Sequence, residues 1–465
     1  MAQDVYRREA LRLKESRSLV AGRFPRFGVN KQRETVRLLY EISKREGKSP
    51  AKALGGIEGR TFAAVKSALL ARRYPSVIFA RPPARFHLPR LDLREEAVAN
   101  EAVDPFHPRR IVAEDAVADS ALVRRFRSAF PAAEFSRVES LRFPSAPVEA
   151  VERYNRRRET AYIVRESFDF LKDCPCTIRA VSCGYRILNL GFGCPLDCSY
   201  CFLQGYSNAP GLIFPANIED FFSCFSECEK SRPAFPGKRG EVLRLGTGEF
   251  SDSLALDRYT GYSPSLVEFF REKSGCLFEF KTKTAEVDGL LRARHGGNIV
   301  VGWSVNPERM IGENEFGSAS LAARLAAAGR CAEAGYRLAF HFDPILLYAG
   351  WEREYGGVVE ALADAVPPEK VAWISLGTLR FPPDLKTVIE KRFPGNTILD
   401  GELVVGFDGK LRYPDGDRLR AYRILLEALK IWSPRLRVYL CMESAAMWKK
   451  LGLPFPFGEG PGRFY

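Results

Sequence analysis

Between residues 185 and 393, short apolar runs alternate with amphipathic stretches, and this alternation narrows the fold more than any other property of the chain. RILNLGFG precedes NIEDFFSCFSECEK, VLRLGTG precedes SPSLVEFFREK, and LFEFKTK precedes AEVDGLLRARH. IVVGWSVN with SLAARLAAAGRCAEAG, RLAFHFDPI with EYGGVVEALADAV, and VAWISLGTLRF with DLKTVIEKRF complete the series. Continuous apolar runs suit strands buried on both faces, and the segments between them have helical period. Six strand–helix units predict an α/β fold, a partial (β/α)6 barrel of TIM type with its helices outside. A doubly wound open sheet is the alternative, but the Gly-rich phosphate fingerprint of such sheets is missing. Barrels of this kind work at the C-terminal ends of their strands, so the residues there are the first to question.

The loop after the first strand reads GFGCPLDCSYCFLQGYSN and spaces Cys194, Cys198 and Cys201 as C-x3-C-x2-C. Three thiolates on one short loop can hold three irons of a [4Fe-4S] cube and leave the fourth open to a small molecule, whereas ferredoxin clusters recruit a fourth cysteine. A closed zinc site also needs a fourth Cys or His, and no His lies near in sequence. Eleven cysteines in 465 residues are too sparse and clustered for a disulfide framework. Of the others, Cys224 and Cys228 stand i,i+4 on one helix face and read as small core residues, as do Cys276, Cys331 and Cys441 in apolar segments. Cys174, Cys176 and Cys183 precede the first strand and could hold a second cluster if a fourth ligand joined them.

An open iron would need partners for its ligand at the other strand ends. The second strand ends in Gly246-Thr247-Gly248-Glu249, glycines that let backbone approach a ligand and a carboxylate that can accept from an ammonium group. The third ends in Lys281-Thr282-Lys283 and the fourth in Ser304-Val305-Asn306, cations and small polar groups suited to a ligand carboxylate. Together they favour an amino acid-like ligand.

Charge is unevenly placed. Residues 1–100 carry 22 Lys plus Arg against 10 Asp plus Glu, so nearly all of the net +13 lies in the first fifth of the chain. A basic module joined to a balanced one suits a polyanion partner, although a solvated helical surface would look the same. Residues 1–80 read as short helices with a Gly-containing turn before the last, a pattern shared by helix-turn-helix modules and other small bundles. Residues 81–106, with Pro82, Pro83 and Pro89, read as an extended linker. No run of eighteen apolar residues exists and the N-terminal stretch has no apolar signal core, so a cytoplasmic protein without a membrane partner is expected. A monomer is also expected.

The cysteine loop with its polar strand ends resembles the radical S-adenosylmethionine superfamily, and within it the chain is similar to the spore photoproduct lyase family. The likeness is carried by CPCTIRAVSCGYRILNLGFGCPLDCSYCFLQGYSN, EFSDSLALD, FEFKTKTAEVDGLL, VGWSVN, AGYRLAFHFDPI and DGKLRYPDGDRLRAYRILLEALK. It sets out 107–184 as a lyase-like N-terminal region, 185–400 as the barrel and 401–465 as a C-terminal hairpin and helical region. The resemblance implies that Cys194, Cys198 and Cys201 hold the cluster and that S-adenosylmethionine binds the open iron. With an external electron donor, cofactor cleavage gives a 5′-deoxyadenosyl radical that takes a hydrogen from substrate. Glu249, with Gly246 and Gly248, would serve the methionyl ammonium, while Lys283, Ser304 and Asn306 would serve its carboxylate or ribose. An apolar barrel wall would shield the radical.

By the same resemblance the substrate is a DNA lesion, opened by carbon–carbon lyase chemistry, with Lys410, Arg412 and Tyr413 of a hairpin meeting phosphates and a base. One departure stands out. The family returns a hydrogen to its product radical from a cysteine just after the second strand, and Glu249 occupies that position. A carboxylate cannot donate a hydrogen atom. The family also flanks its last cluster cysteine with two tyrosines, where this chain has Tyr200 and Phe202. Tyr200, or a thiol such as Cys176 or Cys183, would then have to serve, or the substrate differs. The remaining readings are a radical enzyme acting on a peptide or modified nucleotide, and a nucleic-acid-binding iron–sulfur redox sensor.

Overall fold

The structure, a computed structural model, describes residues 2–59, 61–78, 83–100, 106–143, 150–166, 171–177, 179–207, 209–231 and 242–455. The six apolar runs form strands β1 (Tyr185–Leu188), β2 (Leu243–Gly246), β3 (Cys276–Thr282), β4 (Ile299–Ser304), β5 (Arg337–Ile345) and β6 (Val371–Thr378). Each pairs in parallel with the next. A seventh parallel strand, β7 (Val438–Leu440), joins β6 after the long helix Asp415–Trp432. Sequence periodicity missed it because three residues make no pattern. The antiparallel strand Leu171–Asp173 closes the other edge beside β1. The sheet therefore curls but stays open, as a partial barrel. Residues between Cys174 and Gly184 bridge its two edges: the Cys174 amide donates to Tyr185 O at 2.9 Å and the Val181 amide to Glu443 O at 2.8 Å.

Strand alternation sorts the two faces. Phe278, Phe280, Val301, Trp303, Phe340, Phe342, Ile374 and Leu376 pack outward into one core beneath the helices. The lumen face is polar and aromatic, which corrects the expectation of an apolar wall. Inside, Tyr185 Oη donates to Glu279 at 2.6 Å, Glu279 meets His341 Nε2 at 2.7 Å, and His341 Nδ1 meets Ser375 Oγ at 2.7 Å. Arg244 stacks on Trp373 and Tyr439, 4.2 and 4.7 Å from their ring centres. This network explains two glycines: a Cβ on Gly246 would fall on the Tyr185 hydroxyl, and one on Gly302 would fall on the Glu279 carboxylate. Gly246 thus makes room for protein, not for a ligand as its place in the sequence suggests.

Ahead of the barrel, Glu134–Val138, Arg110–Glu114 and Thr160–Val164 form a second parallel sheet. Its fourth strand, Leu212–Pro215, arrives only after the cysteine loop, so the loop is suspended between two sheets sharing one apolar core.

The N-terminal helices α1 (Ala2–Arg23), α2 (Val29–Glu46), α3 (Pro50–Leu54) and α4 (Phe62–Arg73) enclose their own core of Val20, Leu38, Leu39, Ile42, Leu54, Val65 and Leu69. Ser49 and Thr61 cap α3 and α4. The module is locked to the barrel's rim by buried charges. Glu41 takes Arg37 at 2.7 Å, Arg73 at 2.8 Å and Lys386 at 2.7 Å, and Arg37 also pairs with Glu390. Part of the basic excess is therefore spent inside the molecule. The proline-rich stretch is no loose tether where it is described: Leu91 packs with Leu13 and Tyr40, and the Val405 amide donates to Arg85 O at 2.9 Å. Among the described residues no helix is long and apolar enough to cross a membrane.

Candidate functional site

The cysteine loop is held from three sides. Arg157, wholly buried, donates from Nε to Cys194 O at 3.0 Å and from Nη2 to Leu196 O at 2.7 Å. Arg392 grips Asp197 through two 2.8 Å bonds, and its Nη1 reaches Gln204, which in turn donates to Ser199 O. From the third side, Asp197–Cys198 pairs antiparallel with Glu315–Phe316. Burial pushes the Cys194 thiol up to about 12 and raises Cys198 and Cys201 as well. The thiols are thus poor anions until a cationic group joins them. All three are free cysteines. Three free thiols on one loop are the donor chemistry of an iron–sulfur cluster with one open iron, whereas a closed zinc site takes a fourth ligand.

Beneath the loop lies a charge centre that the sequence did not reveal. Glu315, wholly buried, accepts from Lys283 at 2.9 Å, Arg324 at 2.6 Å and Asn306 at 2.8 Å, and from the Tyr200 hydroxyl. Burial opposes its ionisation, yet Lys283 and Arg324 hold its carboxyl well below the usual range. Lys283, Asn306 and Tyr200, each expected at a ligand or radical, are therefore committed to one buried carboxylate. Asn306 is further fixed by Tyr355, which donates to its Oδ1 at 2.7 Å. Among the described residues the Ser304 hydroxyl has no hydrogen-bond partner, while its carbonyl takes Arg324 at 2.8 Å. Glu315 follows a short helix outside every recognisable motif, so no sequence signal marked it.

A cleft separates the loop from the end of β2, lined by Asn189, Gly193, Pro195, Thr247, Gly248, Glu249 and Asp252. Gly248 has φ +97°, a conformation that favours glycine, and turns the chain over Lys281. Asp252 accepts from the Lys283 amide and Thr282 Oγ1, each at 2.7 Å, which ties this turn to β3. Asn189 Oδ1 is buried there without a hydrogen-bond partner among the described residues, an acceptor in want of a donor. Glu249 is paired with Lys172 at 2.6 Å, and Lys172 sits 4.3 Å from the Phe250 ring centre. The exposed rings of Phe202 and Tyr206 adjoin Phe250, Tyr206 stacking on it at 5.8 Å.

The hairpin expected near residue 410 is present, with Val404–Val405 against Leu411–Arg412. Two of its three expected contacts with nucleic acid face inward. Arg412 is buried against Asp408 and donates to Met442 O at 3.0 Å, and Tyr413 is buried with its hydroxyl accepting from the Leu347 amide at 3.1 Å. Only Lys410 reaches the mouth, donating to Thr177 Oγ1 at 2.9 Å. Cys224, expected in the core, is exposed, and the Cys228 side chain lies outside the described residues. Cys276 and Cys331 are buried as expected, but Cys441 is only half-buried at the barrel mouth.

Comparison with known proteins agrees with this geometry. The spore photoproduct lyase family model matches residues 146–402, more than half of the chain. The lyase of Clostridium acetobutylicum is 27% identical over 237 residues, 50% of this chain and 66% of that protein. The Bacillus subtilis lyase is 29% identical over 248 residues, 52% of this chain and 69% of that protein. The chain thus matches about two thirds of the length of these relatives. Among solved structures, a spore photoproduct lyase double mutant with bound AdoMet and dinucleoside spore photoproduct superposes with a TM-score of 0.62 at 25% identity, covering 72% of this chain and all of that one. With three free thiols on the first loop of an open parallel barrel and a family model spanning that loop and the strands β1 to β6, the chain belongs to the spore photoproduct lyase family of the radical S-adenosylmethionine superfamily.

Proposed function

We propose that the protein reductively cleaves S-adenosylmethionine and uses the resulting radical on a lesion in DNA, opening a carbon–carbon bond as a spore photoproduct lyase does. The observation that carries this reading is the cysteine loop itself: three free thiols, fixed by Arg157, Arg392 and Glu315, at the mouth of the barrel. Cys194, Cys198 and Cys201 would hold a [4Fe-4S] cluster, which supplies the electron that cleaves the sulfonium. Asn189 Oδ1, without a partner among the described residues, and the Ser304 hydroxyl offer polar groups for the methionyl end, while Glu315 keeps Lys283 and Tyr200 in place. The rings of Phe202 and Tyr206, with Lys410 across the mouth, supply stacking surface and charge for nucleic acid. The exposed Arg26, Lys31, Arg33 and Lys52 of the N-terminal module offer further positive charge to a polyanion.

Anaerobic reconstitution with iron and sulfide, then reductant and S-adenosylmethionine, tests the reading. It predicts 5′-deoxyadenosine in the wild type and none in Cys198→Ala. Ultraviolet-irradiated DNA, compared with unirradiated DNA, tests the substrate by loss of lesion. No 5′-deoxyadenosine from a fully loaded cluster would overturn the proposal in favour of a redox sensor.

A further inference from the structure

A radical enzyme that takes a hydrogen atom from its substrate and releases a closed-shell product must return one. Among side chains, thiols and phenols have the weakly bound hydrogens for this, and carboxyls do not. Glu249 is thereby ruled out, and it is paired with Lys172 at 2.6 Å. The Tyr200 phenol is engaged by Glu315 and Lys283 under the cysteine loop. Tyr185 and Tyr439 lie deep in the lumen, bonded to Glu279 and Arg244, and Tyr413 is buried. The opposite wall of the mouth, however, carries a group of thiols.

We propose that Cys441, with Cys174 and Cys176 beside it on the seam between β1 and β7, returns the hydrogen atom to the substrate radical; the inference rests on the proposed radical reaction. The Cys441 amide donates to Leu376 O at 2.8 Å, extending the β6–β7 ladder by one residue. Its side chain therefore falls on the same face as Tyr439, whose hydroxyl takes Arg244 inside the lumen. Arg380 donates to Cys441 Sγ at 3.3 Å and is itself clamped to Asp343 at 2.8 and 3.1 Å. Arg380 Nε remains buried without a partner among the described residues, a spare donor beside the thiol. The chain turns tightly at Cys174 and Cys176, with the Cys176 amide donating to Cys174 O at 2.6 Å. Lys410 of the hairpin roofs this corner through Thr177. All of these cysteines are free, and Cys174, Cys176 and Cys441 are only half-buried.

Protonation favours the assignment. Burial and the charge of Asp343 push the Cys441 thiol up, so it keeps its hydrogen at neutral pH. A hydrogen bond from Cys174 lowers the Cys176 thiol below the ordinary range, so that pair shares a proton and forms a reserve beside it. In the step itself the Cys441 S–H bond breaks homolytically, a C–H bond forms on the product, and the unpaired electron is left on sulfur. One electron from the low-potential iron–sulfur or flavin protein that the reaction already requires, and one proton from the neighbouring thiols, restore Cys441.

Thiol hydrogens exchange with solvent and carbon-bound hydrogens do not, which gives the test. In D2O, with the dinucleoside spore photoproduct as substrate, the wild type should place one solvent deuterium in each product molecule. Cys441→Ala should still form 5′-deoxyadenosine while deuterated product falls at least tenfold, and Cys441→Ser should behave alike at unchanged iron content and melting temperature. Independently of turnover, alkylation of Cys176 in protein without S-adenosylmethionine should show a pH midpoint below that of an ordinary thiol, and the midpoint should rise in Cys174→Ala. Wild-type product without deuterium, no product at all, or Cys441→Ala making deuterated product at the wild-type yield overturns the inference while leaving cofactor cleavage standing. An unmoved alkylation midpoint would remove the proton reserve and count against it too. Absence of 5′-deoxyadenosine in the wild type would instead overturn the reading beneath it.

Discussion

Glu315→Gln removes one charge and no volume, which makes it the cleanest probe of the centre under the cysteine loop. Glu315 is wholly buried between Lys283 at 2.9 Å and Arg324 at 2.6 Å, and its backbone pairs with Cys198. The amide can still accept at one oxygen, but its nitrogen must face a cation. Arg324, completely buried, then lacks a counter-charge. Stripping one partner from a buried pair costs about 3–5 kcal/mol, chiefly through the charge left behind. At about 1.4 kcal/mol per decade, that is a factor of roughly 100 to 4000 in the folding constant. Denaturant unfolding of the protein without cluster gives the single-variant cost, and a cycle with Arg324→Met isolates its cause. The double variant should be more stable than Glu315→Gln alone, because the stranded cation is gone. A single-variant cost below about 1 kcal/mol, or a double variant showing the full sum of both losses, would refute the reasoning.

Burial works against ionisation of Asp343, but Arg380 overrides it and holds the carboxyl at about 2. A depressed folded value means that the pair stabilises the protein above the unfolded value of about 4 and is lost as pH falls toward 2, a loss of about 2–3 kcal/mol. Asp343→Asn should flatten that acid limb in a melting series, and an unchanged limb would discount the pair. Gly302→Ala drives a methyl into the Glu279 carboxylate and within 3.0 Å of His341 Nε2, so about 1–3 kcal/mol should be lost in denaturant unfolding; a neutral result would show that the lumen network can yield. Reversing Arg26, Lys31 and Arg33 to Glu should weaken DNA binding and reduce the slope of log K against log salt by up to about 3, whereas an identical slope would clear the module of that role. Deleting the module is the poorer experiment, because it would strand Lys386 and Glu390.

The parts of the molecule legible in the sequence were those that repeat or cluster locally. Six apolar runs gave six strands in order, since a strand buried on both faces is its own signal. The cysteine loop could be read because its donors lie within eight residues of one another. β7 could not, being three residues long and recognisable only by its pairing with β6. Nor could the fate of Lys283, Asn306, Arg412 and Tyr413: residue type and strand-end position suggested ligand contacts, while folding gave each a buried protein partner. The N-terminal charge followed the same rule: Arg37 and Arg73 are paired with Glu41 of the same module, and they reach the barrel's rim through Glu390 and the Leu399 and Gly401 carbonyls. Sequence alone determined the barrel and the chemistry of its first loop, because both are written in residues close along the chain. Tertiary structure decided which charged groups remain free to act. Whether Lys283 or Lys386 meets solvent or a carboxylate depends on segments tens to hundreds of residues away, and burial makes that pairing obligatory.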